Sequence, residues 1–488
     1  MPRLKSAAGL TDGVQVPAYS RTSRAGIVHL GVGAFHKAHQ AVYTDEAMQR
    51  AGGAWMIDGV SLRSPEAADQ LNPQNGFYTL LTRGTEGVSA RVIGSILRVI
   101  VAPADPGQVL AAMANAATKL VSLTMTEKGY GLDPKTGGLD RTHPAIAADL
   151  ADRGKTTSAL GFIVEAIRLR MMLKAAPFTV LSCDNLPANG KVLRRLVLEF
   201  ASLRDPAVVA FIEKEVRFPS TMVDRITPAS TEKTLADAER LTGRRDLAAV
   251  ETEPFSQWII ENDFAAERPD WEAAGALFVS DVAPYEKMKL RMLNGAHSLL
   301  AYAGFTAGHA FVREAMADAA LARLVRRHMS EAARSLDEVP GIDLEHYARD
   351  LVARFANPAI AHQTYQIAMD GTQKLPQRLL EPAQTALARG LPLDTYAFAV
   401  AAWMRYALGR KEDGESYALR DPREAEIKTL LPGANDAGAI ADALLGLPGL
   451  FPPELARADG WRDAIRSRLG TMLDQGMHAA IEAEAANG

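Results

Sequence analysis

Lys289, Asn294 and His297 lie in the run Tyr285-Glu286-Lys287-Met288-Lys289-Leu290-Arg291-Met292-Leu293-Asn294-Gly295-Ala296-His297. At i, i+5 and i+8 they project at about 0°, 140° and 80° around a regular α-helix, so all three can face one cleft. An amine that can lose a proton, an amide that can hold an oxyanion and an imidazole that can steer a hydroxyl are together what alcohol oxidation needs without a metal. Glu286, one turn before Lys289, is placed to relay its proton. Gly295 interrupts this helix at a cost of about 1 kcal/mol relative to alanine, so other structure is expected to approach closely there.

Other polar residues stand where an α/β sheet would present them. Asn185, in Cys183-Asp184-Asn185-Leu186-Pro187, follows the apolar run 178–182 and reads as either a ligand contact at a strand end or a turn-forming asparagine. Cys183 reads as a buried small hydrophobe. Asp224-Arg225 is flanked by apolar residues and two prolines, which suits a structural ion pair or an Asp224 that accepts from a substrate hydroxyl. His36 and His39 have a spacing that can bind metal on a helix, but no third ligand lies nearby in sequence, and a packing or hydrogen-bonding role is favoured.

The elements that must position these residues begin with a strand over Gly26 to Leu30, the turn Gly31-Val32-Gly33-Ala34-Phe35-His36, a helix to about Ala51 and a second strand over Trp55 to Leu62. This is the layout of a dinucleotide-binding unit, with Gly31, Val32, Gly33, Ala34 and Phe35 as candidate cofactor contacts. The pattern is GxGxxH, His36 standing where a third glycine is usual. At the end of the second strand, Glu66 can accept from a ribose 2′-hydroxyl, as for NAD, and Arg63 can bind a 2′-phosphate, as for NADP. Asp58, mid-strand, reads as structural.

Strand-like runs at Arg91 to Val101, Leu120 to Met125 and Phe178 to Ser182 alternate with helical stretches at Thr157 to Leu173 and Lys191 to Leu203. That alternation predicts an α/β unit with a mostly parallel, Rossmann-type sheet. Beyond about residue 285 strand-like runs nearly vanish, and Phe311 to Ala333 and Tyr396 to Leu408 have helical spacing. The expected division is 1–284, a dinucleotide-binding domain with a polar N-terminal arm, and 285–488, a mostly α-helical domain. The last dozen residues are expected to fray.

The chain has 488 residues, 48% hydrophobic and 23% charged, with a net charge of −4 from 54 basic and 58 acidic side chains. Such a balance suits a globular protein and gives no electrostatic grip on nucleic acid or an anionic membrane. A single cysteine rules out an intrachain disulfide and a cysteine-rich zinc site. No apolar run is long enough for a signal peptide or a span, and a cytoplasmic enzyme, monomeric, is the expectation.

Taken together, the glycine turn with Lys37-Ala38-His39-Gln40, Thr126-Glu127-Lys128-Gly129-Tyr130, Ser182-Cys183-Asp184-Asn185, Met222-Val223-Asp224-Arg225-Ile226-Thr227-Pro228 and Lys289 with Asn294 and His297 resemble the polyol-specific long-chain dehydrogenases, the mannitol dehydrogenase family. The resemblance spans nearly the whole chain. It implies a Rossmann-type domain and a helical domain with the active site between them, and a zinc-free NAD(P)-dependent reaction at a secondary alcohol. It makes Lys289 the general acid/base, Asn185 and Asn294 the oxyanion donors and His297 a substrate-orienting group. Asp224 becomes a partner for a substrate hydroxyl, Glu286 the proton-conducting residue and Glu127 a cofactor contact.

Within the family, His362-Gln363-Thr364-Tyr365-Gln366-Ile367-Ala368-Met369-Asp370-Gly371-Thr372-Gln373-Lys374-Leu375-Pro376-Gln377-Arg378 is more similar to fructuronate reductases (D-mannonate oxidoreductases) than to mannitol 2-dehydrogenases. A uronate adds a carboxylate, for which His362, Lys374 and Arg378 are candidates. The opposing reading is that Lys374 and Arg378 anchor a loop to a helix. The pairs mannitol/fructose and arabinitol/xylulose are the alternatives. A non-catalytic dinucleotide sensor would not need the set Lys289, Asn294, His297 and Asn185.

Overall fold

The computed structural model describes residues 1–21, 24–125, 127–133, 136–152, 154–434 and 436–487, without the side chains of Glu127 and Lys128. Glu127, proposed above as a cofactor contact, therefore has its side chain outside the described residues. The chain divides into two compact units, Met1–Ala283 and Pro284–Gly488.

In the first unit eleven strands are described: β1 (Ala25–Leu30), β2 (Met56–Ser61), β3 (Tyr78–Gly84), β4 (Gly87–Ile93), β5 (Ile96–Val101), β6 (Leu120–Leu123), β7 (Thr179–Ser182), β8 (Thr221–Asp224), β9 (Val250–Thr252), β10 (Gln257–Glu261) and β11 (Leu277–Val279). Five of them form a parallel sheet in the order β5-β2-β1-β6-β7. Their near-continuous apolar runs, buried from end to end in β6 and β7, are what a sheet covered on both faces requires. One face packs on Phe162, Ile163, Leu193 and Phe200. Ala38, Ala41, Trp258 and Trp271 belong to the core that includes Ile27 and Ile57. The strand order reverses between β1 and β6, the position at which open α/β sheets bind ligands at their carboxyl ends.

The expected single strand over Arg91 to Val101 is two strands. β4 turns back antiparallel on β3 in a separate three-stranded sheet, and β5 joins β2 in the main one. The break falls at Gly94-Ser95, where a Cβ on Gly94 would come 2.9 Å from Pro17. The N-terminal arm is tied down rather than loose. Leu4 is buried and its amide donates to Arg245, and Arg3 donates to Gln74.

In the second unit the described residues form helices. The run at 283–306 is not a regular α-helix: residues Ala283–Met288 and Gly295–Thr306 are α-helical, but Lys289–Asn294 is a π-helix. A second π-helical stretch, Pro376–Leu380, interrupts the helix running from Gly371 to Ala388. Pro376 has no amide hydrogen to donate and crowds the carbonyl four residues back, which opens the ladder there. The expected helix over Phe311 to Ala333 is two, broken at Asp318, whose Oδ1 accepts from Ala320 and Leu321 and caps the longer one. Of the terminal residues expected to fray, those up to Ala486 are helical. They form the helix Gly476–Ala486, with Met477, Ala480 and Ile481 buried and Glu484 held by Arg327 and Arg468.

Candidate functional site

The glycine turn after β1 shows why two of its residues have no side chain. Gly31 has φ +101°, and a Cβ there would lie 2.1 Å from the Thr124 carbonyl oxygen at the end of β6. Gly33 is exposed, and a Cβ on it would meet nothing within 4 Å. The first glycine closes the turn onto the sheet; the second leaves open space at the start of the helix Ala34–Ala38. That is the room a pyrophosphate needs against a backbone amide, so the turn fits a dinucleotide.

The packing beneath the turn is specific. Val32 packs on Gly59 of β2, where a Cβ would come within 2.5 Å of its methyl group. The position of the missing third glycine is filled by stacked imidazoles: His36 lies on His29 at 3.5 Å between ring centroids, 14° from parallel. His29 bonds Ser122 and Thr124, and burial holds its pKa down to about 3, so the pair is neutral and packs like flat apolar rings. His39 stacks on Phe35 and bonds the Gln257 carbonyl. Both histidines thus have the packing role expected of them. Asp58 is also structural, bonded through both oxygens to Arg98 at 2.9 and 3.0 Å. Arg63 and Glu66 are exposed just beyond β2, and Glu66 accepts from Gln70.

Asn185 is exposed in the loop that leaves β7. Its neighbour Asp184, which sequence reasoning passed over, ties that loop to the one leaving β6. It accepts from the Met125 amide at 2.7 Å and from the Tyr130 hydroxyl. Burial pushes its carboxyl up to about 7. Asp224 ends β8, 5% exposed. Arg225 donates to the carbonyls of Ala38 and Glu253.

In the second unit Lys289 is buried at 9% exposure, at the first position of the π-helix, with Asn294 at its last. In a π-helix the amide of residue i+5 bonds the carbonyl of residue i. Asn294 is therefore carried round toward the face of Lys289, and the 140° separation of a regular helix does not apply. Gly295 follows at φ −61°, an ordinary helical value, so its glycine is required for space. A Cβ there would lie 3.0 Å from the Arg378 carbonyl and 2.8 Å from His328 Nε2. The close approach expected at Gly295 is that of the second π-helical stretch.

His297 is buried, 4.4 Å from the Phe355 ring and edge-on to His362 at 5.2 Å. Its Nε2 has no hydrogen-bond partner among the described residues. Its pKa lies well below the usual histidine value, first through burial and then through His362, Arg378, Arg354 and Lys289, all basic. Arg354 and Phe355 were not singled out from the sequence; an arginine in the last turn of the helix Leu344–Phe355 reads there as a partner for the helix dipole.

Arg378 and Lys374 differ. Lys374 donates to the carbonyls of Ile367 and Met369 at 3.2 and 2.6 Å, holding the end of the helix Thr364–Ala368. Those two bonds fit the reading of Lys374 as an anchor. The Arg378 side chain has one hydrogen bond among the described residues, a long one of 3.4 Å to Ser298 Oγ. Burial lowers its pKa.

Residues 25–273 match the model of the mannitol dehydrogenase Rossmann domain, and residues 281–473 that of the mannitol dehydrogenase C-terminal domain. D-mannonate oxidoreductase of Escherichia coli (strain K12) is 42% identical over 462 residues, 94% of this chain and 95% of that protein. Mannitol 2-dehydrogenase of Pseudomonas fluorescens, solved with NAD and D-mannitol, is 37% identical with a TM-score of 0.82, over 98% of each chain. A substrate-free D-sorbitol dehydrogenase is 33% identical with a TM-score of 0.92, over 99% of this chain and 100% of its own.

Proposed function

The chain belongs to the mannitol dehydrogenase family, and from that premise we propose that it is a fructuronate reductase, interconverting D-fructuronate and D-mannonate with NAD. As a member it is a nicotinamide-dependent dehydrogenase acting on CH–OH groups. The observation that carries the finer reading is the Arg378 guanidinium, buried near His297 with one long side-chain hydrogen bond among the described residues. A ketose brings no charge to it, whereas a uronate brings one carboxylate. Arg378, planar and lacking a close partner among the described residues, matches a carboxylate best. The 42% identical D-mannonate oxidoreductase supports the same reading. Mannitol and fructose are the second reading, favoured by the 37% identical mannitol 2-dehydrogenase.

In the proposed reduction Lys289 gives a proton to the substrate's carbonyl oxygen as the carbonyl carbon gains a hydride. When bound, the reduced nicotinamide supplies that hydride. Asn294 donates to the developing alkoxide; losing such a donor typically raises the barrier by about 2.7–4 kcal/mol. His297, held neutral by its surroundings, orients a substrate hydroxyl through Nε2. Glu286 returns a proton to Lys289 from solvent. Asn185 and Asp224 serve the same reaction, as donor to the oxygen and acceptor from a hydroxyl. Gly31, Val32, Gly33, Ala34 and Phe35 hold the cofactor's pyrophosphate, and Glu66 takes the ribose, which makes NAD the proposed cofactor.

The test is a panel of D-fructuronate, D-fructose and D-xylulose with NADH and NADPH, run on wild type and Arg378→Met. A hydrogen-bonded charge pair contributes about 1.5–3 kcal/mol, so fructuronate kcat/KM should fall about 10–150-fold, and fructose turnover by far less. Equal losses on both substrates, or no wild-type activity on fructuronate, would refute the uronate reading.

A further inference from the structure

Among residues not assigned to the reaction, His309, Asp318 and His478 converge in the second unit, with one ligand atom from each lying within 4.8 Å of the others. We propose that they bind one divalent transition-metal ion of the zinc class, which clamps the C-terminal helix to the turn before Phe311. This inference does not depend on the substrate proposed above.

The donor atoms are free to face one point because their other sides are committed. Asp318 uses Oδ1 for the amides of Ala320 and Leu321, at 2.9 and 3.0 Å, and turns Oδ2 toward both histidines. His478 Nε2 lies 3.0 Å from the Ala307 carbonyl, which can only accept. Nε2 therefore carries the proton, and Nδ1 presents its lone pair 3.9 Å from Asp318 Oδ2. His309 Nε2 lies 3.8 Å from the same oxygen, is buried, and has no hydrogen-bond partner among the described residues. The backbone of His309 is fixed at both ends: its amide donates to Gly304 at 2.8 Å and its carbonyl accepts from Thr364 Oγ1 at 2.7 Å.

The distances suit an ion rather than a direct contact. At 3.8 and 3.9 Å these nitrogens are too far from the carboxylate for a hydrogen bond. Zinc bonds of about 2.0–2.1 Å hold tetrahedral donors about 3.3–3.5 Å apart, so an inward shift of about half an ångström would bring these donors onto one ion. The two imidazoles meet edge to face, 84° apart, as two ligands approaching one ion from different directions can. Two imidazoles and one carboxylate favour zinc, nickel or copper over magnesium or calcium, whose preferred donors are oxygens. His478, 58% exposed, leaves the site open to solvent, so a water completes the coordination. The three residues come from a turn, a helix cap and the terminal helix, so no local spacing in the sequence announces them.

The experiment uses the full chain stripped with chelator and then titrated with Zn²⁺ by calorimetry and with Co²⁺ by visible absorption, alongside Tm measurements. The expected result is one equivalent bound, a cobalt spectrum of low coordination number, and a rise in Tm that chelator reverses. His478→Gln and His309→Gln should each weaken binding at least about 10-fold and remove the Tm rise. Less than half an equivalent bound by wild type, or binding that survives both substitutions and so marks an adventitious ion only, would overturn the proposal.

Discussion

Replacing Gly295 with alanine separates two physical arguments of opposite sign. By helix propensity alone the change should stabilise the helix by about 1 kcal/mol, since Gly295 sits at φ −61° and its conformation does not require glycine. The added methyl, however, would meet His328 Nε2 at 2.8 Å and the Arg378 carbonyl at 3.0 Å. Neither neighbour is the loose end of a flexible side chain. His328 is fully buried, bonded to Thr395 Oγ1 at 3.1 Å and edge-on to Tyr396, and the Arg378 carbonyl is part of a helix backbone. Overpacking of this kind costs about 1–3 kcal/mol, which leaves a net loss of up to about 2 kcal/mol after the propensity gain. For a unit of this size, a loss near the middle of that range lowers Tm by about 2–4 °C, where propensity alone would raise it by a similar amount. Because the strain falls on the π-helical stretch carrying Arg378, KM for the uronate should rise as well. Thermal unfolding and steady-state kinetics on Gly295→Ala read both effects. A variant more stable than wild type, with unchanged KM, would refute the claim that the two π-helical stretches are held in contact through this glycine.

Three further outcomes follow from the same geometry. Gly33→Ala should fold with stability within about 0.5 kcal/mol of wild type but bind NADH at least about 5-fold more weakly, whereas Gly31→Ala should be unstable; similar stability in the two, by urea unfolding, would contradict the packing of the turn. Lys289→Ala should lose turnover by about 10²–10⁴-fold or more while retaining NADH binding by fluorescence, and wild-type turnover at any pH would remove Lys289 from the mechanism. Acid should destabilise the fold below pH 6.5: the folded state holds His29 and His328 at about 3, so the unfolded chain takes up protons that the folded one refuses, at about 1.4 kcal/mol per pH unit for each. Asp184, raised to about 7, acts in the opposite direction between about pH 4 and 7 but offsets only one histidine. Urea midpoints flat from pH 7.5 to 5.5 would refute this balance.

The sequence by itself determined the fold class and the family, because both rest on local patterns. Strand–glycine turn–helix–strand alternation needs only neighbouring residues to be read, and so does the change to helical spacing near residue 285. It failed where a residue's meaning depends on what lies across from it. The run at 91–101 looks like one strand, yet β4 and β5 belong to different sheets because β3 and β2 are their respective partners. The terminal residues look polar, yet Glu484 is buried because Arg327 and Arg468 reach it from other helices.

The same division runs through the candidate site. Lys289, Asn294 and His297 could be named from spacing. Only tertiary structure replaced the regular helix with a π-helix, gave Gly295 its reason and set Lys374 against two carbonyls while leaving the Arg378 side chain one long hydrogen bond. Nor could spacing show that His362 meets His297 edge-on, that Arg354 acts on its charge, or that His309, Asp318 and His478 meet. Periodicity is a one-dimensional signal that survives in the chain, whereas charge neutralisation, steric room and ligand convergence are set by distances between residues far apart in it, and those exist only once the chain has folded.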